Sequence, residues 1–177
     1  MKKNIIITII IIILVIMVSG CINLEEVEGE PKDISKNGIK MKIPSEWIEV
    51  RSDANDSLLA VANPNYGDSL SHINQVSVVV QKEKLSSSLN SMFRSNYDTI
   101  FSDSSYNEIS EGNTSIGSLN GLECIYTFDD GLQIKQQRAF WVEKANNVYV
   151  ILCTAPVNEF DNQQKYFDFI LQNTKLL

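Results

Sequence analysis

His72 is the single histidine of this 177-residue chain, and Asp68 stands four residues before it. Two ligands in a loop fall short of a closed metal site, which takes about four, so the pair reads as solvated loop residues and no metal is expected. One histidine must also serve any catalytic triad. The run Gly117-Ser118-Leu119-Asn120-Gly121 has the wrong spacing for a nucleophile elbow. Neither Cys124 nor Cys153 sits in a visibly electropositive setting that would favour its thiolate. Asp129-Asp130-Gly131 lacks the alternating oxygen ligands and closing glutamate of a calcium loop and reads as a turn. No glycine-rich phosphate loop or dinucleotide fingerprint is present. What remains is binding. Trp47 and Trp141, with His72, are the candidates for a binding surface because aromatic residues favour interfaces, although a tryptophan beside a strand end more often fills a core. The expectation is a protein without cofactor that is not an enzyme; a hydrolase is the least supported alternative.

These residues lie behind an export signal. Lys2 and Lys3 precede an apolar run from Ile5 to Val18, and Val18-Ser19-Gly20-Cys21 follows, the order of a secretory signal peptide. The run is about 14 residues long, whereas a helical span takes roughly 20. A cleavable leader over 1–20 therefore fits better than the alternative, an uncleaved anchor helix. Val18 to Cys21 resembles the lipobox of prokaryotic lipoproteins. That resemblance implies a diacylglyceryl group on the Cys21 sulfur, a mature chain that starts at Cys21, and a protein attached to the cell membrane and facing outside the cytoplasm. Two acyl chains hold stably where one gives only marginal binding.

Removing the leader leaves 157 residues, which suits one domain. The leader contributes two lysines and no acid, so its loss takes the net charge from −7 to −9. A nucleic-acid partner is excluded on this balance, since phosphate binding needs a basic face. Residues 21–37 carry Glu25, Glu26, Glu28, Glu30 and Asp33 with few apolar side chains and read as an acidic spacer. Cys124 and Cys153 fall in apolar strand-like runs. They read as buried thiols or, in an oxidising compartment, as a disulfide. Asn55 and Asn113 open glycosylation sequons, a short pattern with frequent chance matches.

The elements follow from periodicity. Asn37-Gly38 marks a turn; Ile39, Met41 and Ile43 then alternate with Lys40 and Lys42 as a half-buried strand. Leu58–Ala62 and Val76–Val80 read as further strands. Leu85, Leu89, Met92, Phe93, Tyr97 and Ile100 form the stripe of a helix. From Thr114 to Thr154, turns at Asn120-Gly121, Asp130-Gly131 and Asn146-Asn147 separate four runs, an antiparallel four-strand meander. Leu122, Cys124, Tyr126 and Phe128 share a face of its second strand. Val148–Cys153 is apolar without alternation and so is covered on both sides. A closing helix, capped by Asn158, carries Phe160, Phe167, Ile170 and Leu171 on one side. The fold class is α+β, an antiparallel sheet sandwiched between helices.

Gly38-Ile39-Lys40-Met41-Lys42-Ile43-Pro44-Ser45-Glu46-Trp47 at the entry, Gly121 to Tyr126 in the meander, Tyr149 to Pro156 and the terminal aromatic helix together resemble the PsbP-like family over residues 38–177. The resemblance implies helices on both faces of an antiparallel sheet and a domain that binds partners rather than catalyses. It leads to the expectation of a lipoprotein that docks on, or helps assemble, a membrane protein complex. A domain binding a small ligand or ion in a cleft between sheet and helix is the alternative.

Overall fold

The computed structural model describes residues 27, 29–54, 56–67, 75–117 and 119–177. The leader, Cys21, Asn55, Asp68 and His72 lie outside the described residues. The elements are β1 (Lys32–Lys36), β2 (Ile39–Ile43), β3 (Ile48–Glu49), β4 (Ser57–Ala62), β5 (Ser77–Lys84), α1 (Leu89–Ile100), β6 (Tyr106–Ile116), β7 (Leu119–Asp129), β8 (Ile134–Lys144), β9 (Asn147–Pro156), α2 (Val157–Gln172) and β10 (Lys175–Leu176). Seven strands form the main sheet in the order β3-β4-β5-β9-β8-β7-β6, and β1-β2-β10 form a small second sheet. All pairings are antiparallel.

Asn37 and Gly38 both take left-handed backbone, φ 49° and 79°, as a tight hairpin requires. The turn pairs β2 with β1, so Lys32–Lys36, read from the sequence as the end of the spacer, is an outer strand. A polar edge strand leaves almost no apolar signature: only Ile34 packs on the core, while the backbone is satisfied by β2. Ile39, Met41 and Ile43 are buried and the two lysines between them exposed, as the alternation predicts.

The four-strand meander is present but begins at Tyr106 rather than Thr114. Asn120-Gly121, expected to turn, lies inside β7, and the reversal falls around Gly117 (φ 54°). Gly121 serves a close approach instead, since a Cβ there would run into the Trp141 carbonyl on β8. The last turn is formed by Ala145 and Asn146, one residue earlier than the sequence suggests. Asp130-Gly131 turns as expected: the Asp129 and Asp130 carboxylates accept from the N–H groups of Gly131, Leu132 and Gln133.

Ser88 caps α1, its hydroxyl accepting from the Ser91 N–H. No side chain caps α2. Strand β9 runs through Pro156 directly into the helix, and this places Asn158 in the first turn, past the capping position. The α1 side chains Phe93 and Tyr97 pack on Cys124, Ala139, Trp141, Val148 and Val150. On the opposite face, Phe160, Phe167, Ile170 and Leu171 of α2 join Ile39, Met41 and Ile43 over Val78, Val80, Phe140, Ile151 and Cys153. The helices therefore sandwich the main sheet. Val148–Cys153 of β9 is apolar without alternation because both of its faces are covered.

Candidate functional site

Strand alternation decides what the reactive residues can do. Cys124 on β7 faces α1, and Cys153 on β9 faces α2. Strand β8 runs between them. Both thiols are free and buried, and the disulfide raised from the sequence does not form, because the side chains point to opposite faces from non-adjacent strands. Burial pushes each thiol up to about 12, helped at Cys124 by Glu108, Glu111 and Glu123. Such groups stay protonated at neutral pH and are poor nucleophiles.

The two tryptophans are likewise divided. Trp47 is fully buried, edge-on to Phe167 with ring centroids 6.2 Å apart. Trp141 is 4% exposed in the α1 layer, where its indole N–H donates to the Tyr97 hydroxyl at 3.1 Å. Trp47 supplies no binding surface, being consumed by the core under α2, whereas Trp141, though mostly buried, lines the groove between α1 and β5. Trp47 follows Pro44 into the space under α2, whereas Trp141 sits on the α1 side of β8.

Around Trp141 the α1 layer forms a continuous aromatic cluster. Tyr97 packs against Phe93, Phe101, Tyr126 and Trp141 at centroid distances of 4.7–6.0 Å. The Tyr126 hydroxyl donates to Gln137, whose amide donates to the Thr154 hydroxyl at 2.6 Å. Burial, with mutual repulsion against neighbouring Tyr126 and Cys124, raises the Tyr97 phenol far above its ordinary range; burial likewise raises Tyr126. Both remain neutral and act as hydrogen-bonding core groups.

Beside the cluster, a groove of about 300 Å³ opens between α1 and β5. Asp56, Gln81, Lys82, Glu83 and Asn96 are its polar lining, and Ile100, Trp141, Val150 and Leu152 lie among them. Sequence reasoning missed this lining, since its polar residues come from the turn before β4, from β5 and from α1 and share no motif. On the other face, the Arg138 guanidinium bonds Glu123 and Asp168, both at 2.5 Å, and ties β7 and β8 to α2. Among the described residues no cluster of three potential metal ligands is found.

The most open feature is a strand edge. Among the described residues, the eleven-residue strand β6 pairs only with β7. A register shift separates Glu108 from Ser110; beyond it, Ser110–Ile116 is in continuous register with β7. Every residue from Asn107 to Asn113 is exposed, Ile109 to 54%. Native edges are often protected by lysine, proline or bulges. Here the regular part carries no lysine, arginine or proline, and its one charge, Glu111, lies 3.5 Å from Arg94 of α1. Asn113 lies in this exposed strand, in reach of modification, but nothing in its geometry assigns it a role.

No family model matches this sequence, and no curated protein matches it. Solved structures do. Cyanobacterial PsbP (CyanoP) of Synechocystis aligns over 91% of this chain and 99% of its own, with TM-score 0.57 and 11% identity. LpqN of Mycobacterium tuberculosis, described as involved in cell envelope biogenesis, aligns over 82% and 90%, with TM-score 0.58 and 9% identity. A structure from Bacteroides thetaiotaomicron gives TM-score 0.55 at 13% identity over 79% of this chain, which spans only 45% of that one. At these identities the likeness is one of architecture: the chain has the PsbP-like α+β fold.

Proposed function

We propose that this protein is a binding module and not an enzyme, held at the outer face of the cell membrane by lipid on Cys21, and that it docks on a membrane protein complex. The observation that carries the reading is the open edge of β6. Strand addition to such an edge is a common mode of protein recognition, because the backbone N–H and C=O groups supply affinity and alternate side chains supply selectivity. Tethering raises the effective concentration toward a partner in the same membrane. The raised thiols and phenols support binding over nucleophilic chemistry, and the involvement of LpqN in cell envelope biogenesis fits an extracytoplasmic setting.

Photo-crosslinking tests the edge directly. A photoreactive residue at Gly112, where added atoms meet nothing within 4 Å, is expected to yield one defined crosslink to a membrane protein. The same residue at Ser95, exposed on α1, should yield none. Equal labelling from both positions, or none from Gly112, contradicts edge docking.

The groove beside α1 supports a second reading, binding of a small polar ligand between helix and sheet, since amide, carboxylate and ammonium groups lie beside aliphatic ones in it. A ligand held there should raise Tm and change Trp141 fluorescence, and Asn96→Ala should abolish both effects.

A further inference from the structure

Six large aliphatic side chains are conspicuously exposed among the described residues, and four of them gather at one end of the main sheet. Leu132 is 68% exposed, Ile134 58%, Val157 43% and Ile48 42%. Their common location follows from register. Lys135 pairs with Pro156, so Ile134 and Val157 stand level at the start of β8 and the end of β9, with Leu132 in the turn just beyond. Ile48 pairs with Ala62, Ala62 with Ser77, and Ser77 with Thr154, three residues from Val157. Leu177, by contrast, is 71% exposed at the opposite end, where its N–H bonds the Gly38 carbonyl.

The chain that leads to Cys21 arrives at this same apolar end. The Lys32 ammonium donates to the carbonyl of Trp47 at 2.8 Å, one residue before Ile48. Lys32 lies eleven residues after Cys21. Fully extended, that length spans at most about 36–40 Å, and as a coil its mean reach is only about 20 Å. The eleven-residue strands run about 36 Å, well beyond that mean reach, so the end where the tether enters spends most of its time nearest the lipid.

We propose that this end of the domain rests on the bilayer, with Leu132, Ile134 and Val157 entering the interfacial layer as a second foothold beside the lipid. The proposal rests on the anchoring reading above and adds an orientation to it. Aliphatic side chains gain by leaving water for the headgroup–acyl boundary. The charges around them select the lipid. Asp129, Asp130 and Asp161 are exposed nearby, while the Lys135 ammonium is engaged by Asp130 at 2.7 Å and the Lys32 ammonium by the Trp47 carbonyl at 2.8 Å. The surface is thus suited to a zwitterionic membrane and is repelled by an anionic one. Contact at this end stands the strands away from the membrane and leaves the β6 edge open along its length to a neighbouring protein.

The test uses the full lipidated protein in phosphatidylcholine vesicles with no other protein present. An environment-sensitive fluorophore is placed on Leu132→Cys or, as control, on Leu177→Cys; the native Cys124 and Cys153 are buried. Nitroxide lipids are expected to quench the label at 132 strongly and the label at 177 little, and adding phosphatidylserine should weaken the contrast. Vesicles that float with the protein but quench neither label, or quench 177 more, overturn the orientation while leaving anchoring intact. Protein that fails to float overturns both. Burial of the 132 label only in native membranes assigns the patch to a protein partner, and self-quenching between labels assigns it to a second copy; either result also overturns the proposal.

Discussion

At the scale of single residues, both cysteines of the domain are core groups. Cys124 and Cys153, pushed up to about 12 by burial, should resist iodoacetamide at neutral pH in the folded protein and react fully in denaturant without reductant; a non-reactive pair after unfolding would mean a disulfide. Arg138 joins Glu123 and Asp168, so Arg138→Met leaves two carboxylates without their cation and should cost about 1–3 kcal/mol in urea unfolding. Asp130 gives a pH signature. Desolvation raises its carboxyl, but the Lys135 hydrogen bond and charge, with the Gln133 and Leu132 N–H groups, outweigh it and lower the value from 3.8 to about 2. A folded-state value below the unfolded one stabilises above the unfolded value and loses that contribution as pH falls through the folded one. The Tm difference between the wild type and Asp130→Asn should therefore be steady above about pH 5, shrink between about pH 4 and 2, and vanish below. A difference that persists at the acid end would place the effect in packing.

At the scale of elements, Gly121 makes the sharpest prediction. Gly121→Ala drives a Cβ toward the Trp141 backbone and should destabilise by about 1–3 kcal/mol, whereas Gly112→Ala on the open edge should change Tm little. The same pair shows how far the sequence was legible. Strands with one buried face, such as β2 and β5, and helices with an apolar stripe announce themselves by period, because a single packing surface imposes it. Gly121 misleads because glycine permits a turn and a close strand approach alike, and only the neighbouring strand distinguishes them. β1 and β10 carry too few apolar residues to signal anything; they exist because β2 offers them backbone partners. Whether a tryptophan lines a surface or fills a core was not legible, since the face that Trp47 or Trp141 joins depends on register. The β6 edge and the aliphatic end are properties of assembly, and neither has a local motif.

At the scale of the whole molecule, a two-faced core is finished within the domain, and among the described residues an edge, an end and the groove beside α1 stay open. Cys21→Ser should shift the protein from membrane to medium; unchanged retention would mean a permanent helical anchor. Docking is the central claim, and gentle detergent extraction followed by sizing and mass spectrometry tests it most directly. The account predicts that the wild-type protein migrates with one membrane protein in fixed ratio, and that Gly112→Lys, which places a charge on the β6 edge without disturbing the fold, releases it. Extraction of the protein alone, or a complex that survives Gly112→Lys undiminished, contradicts docking through this edge.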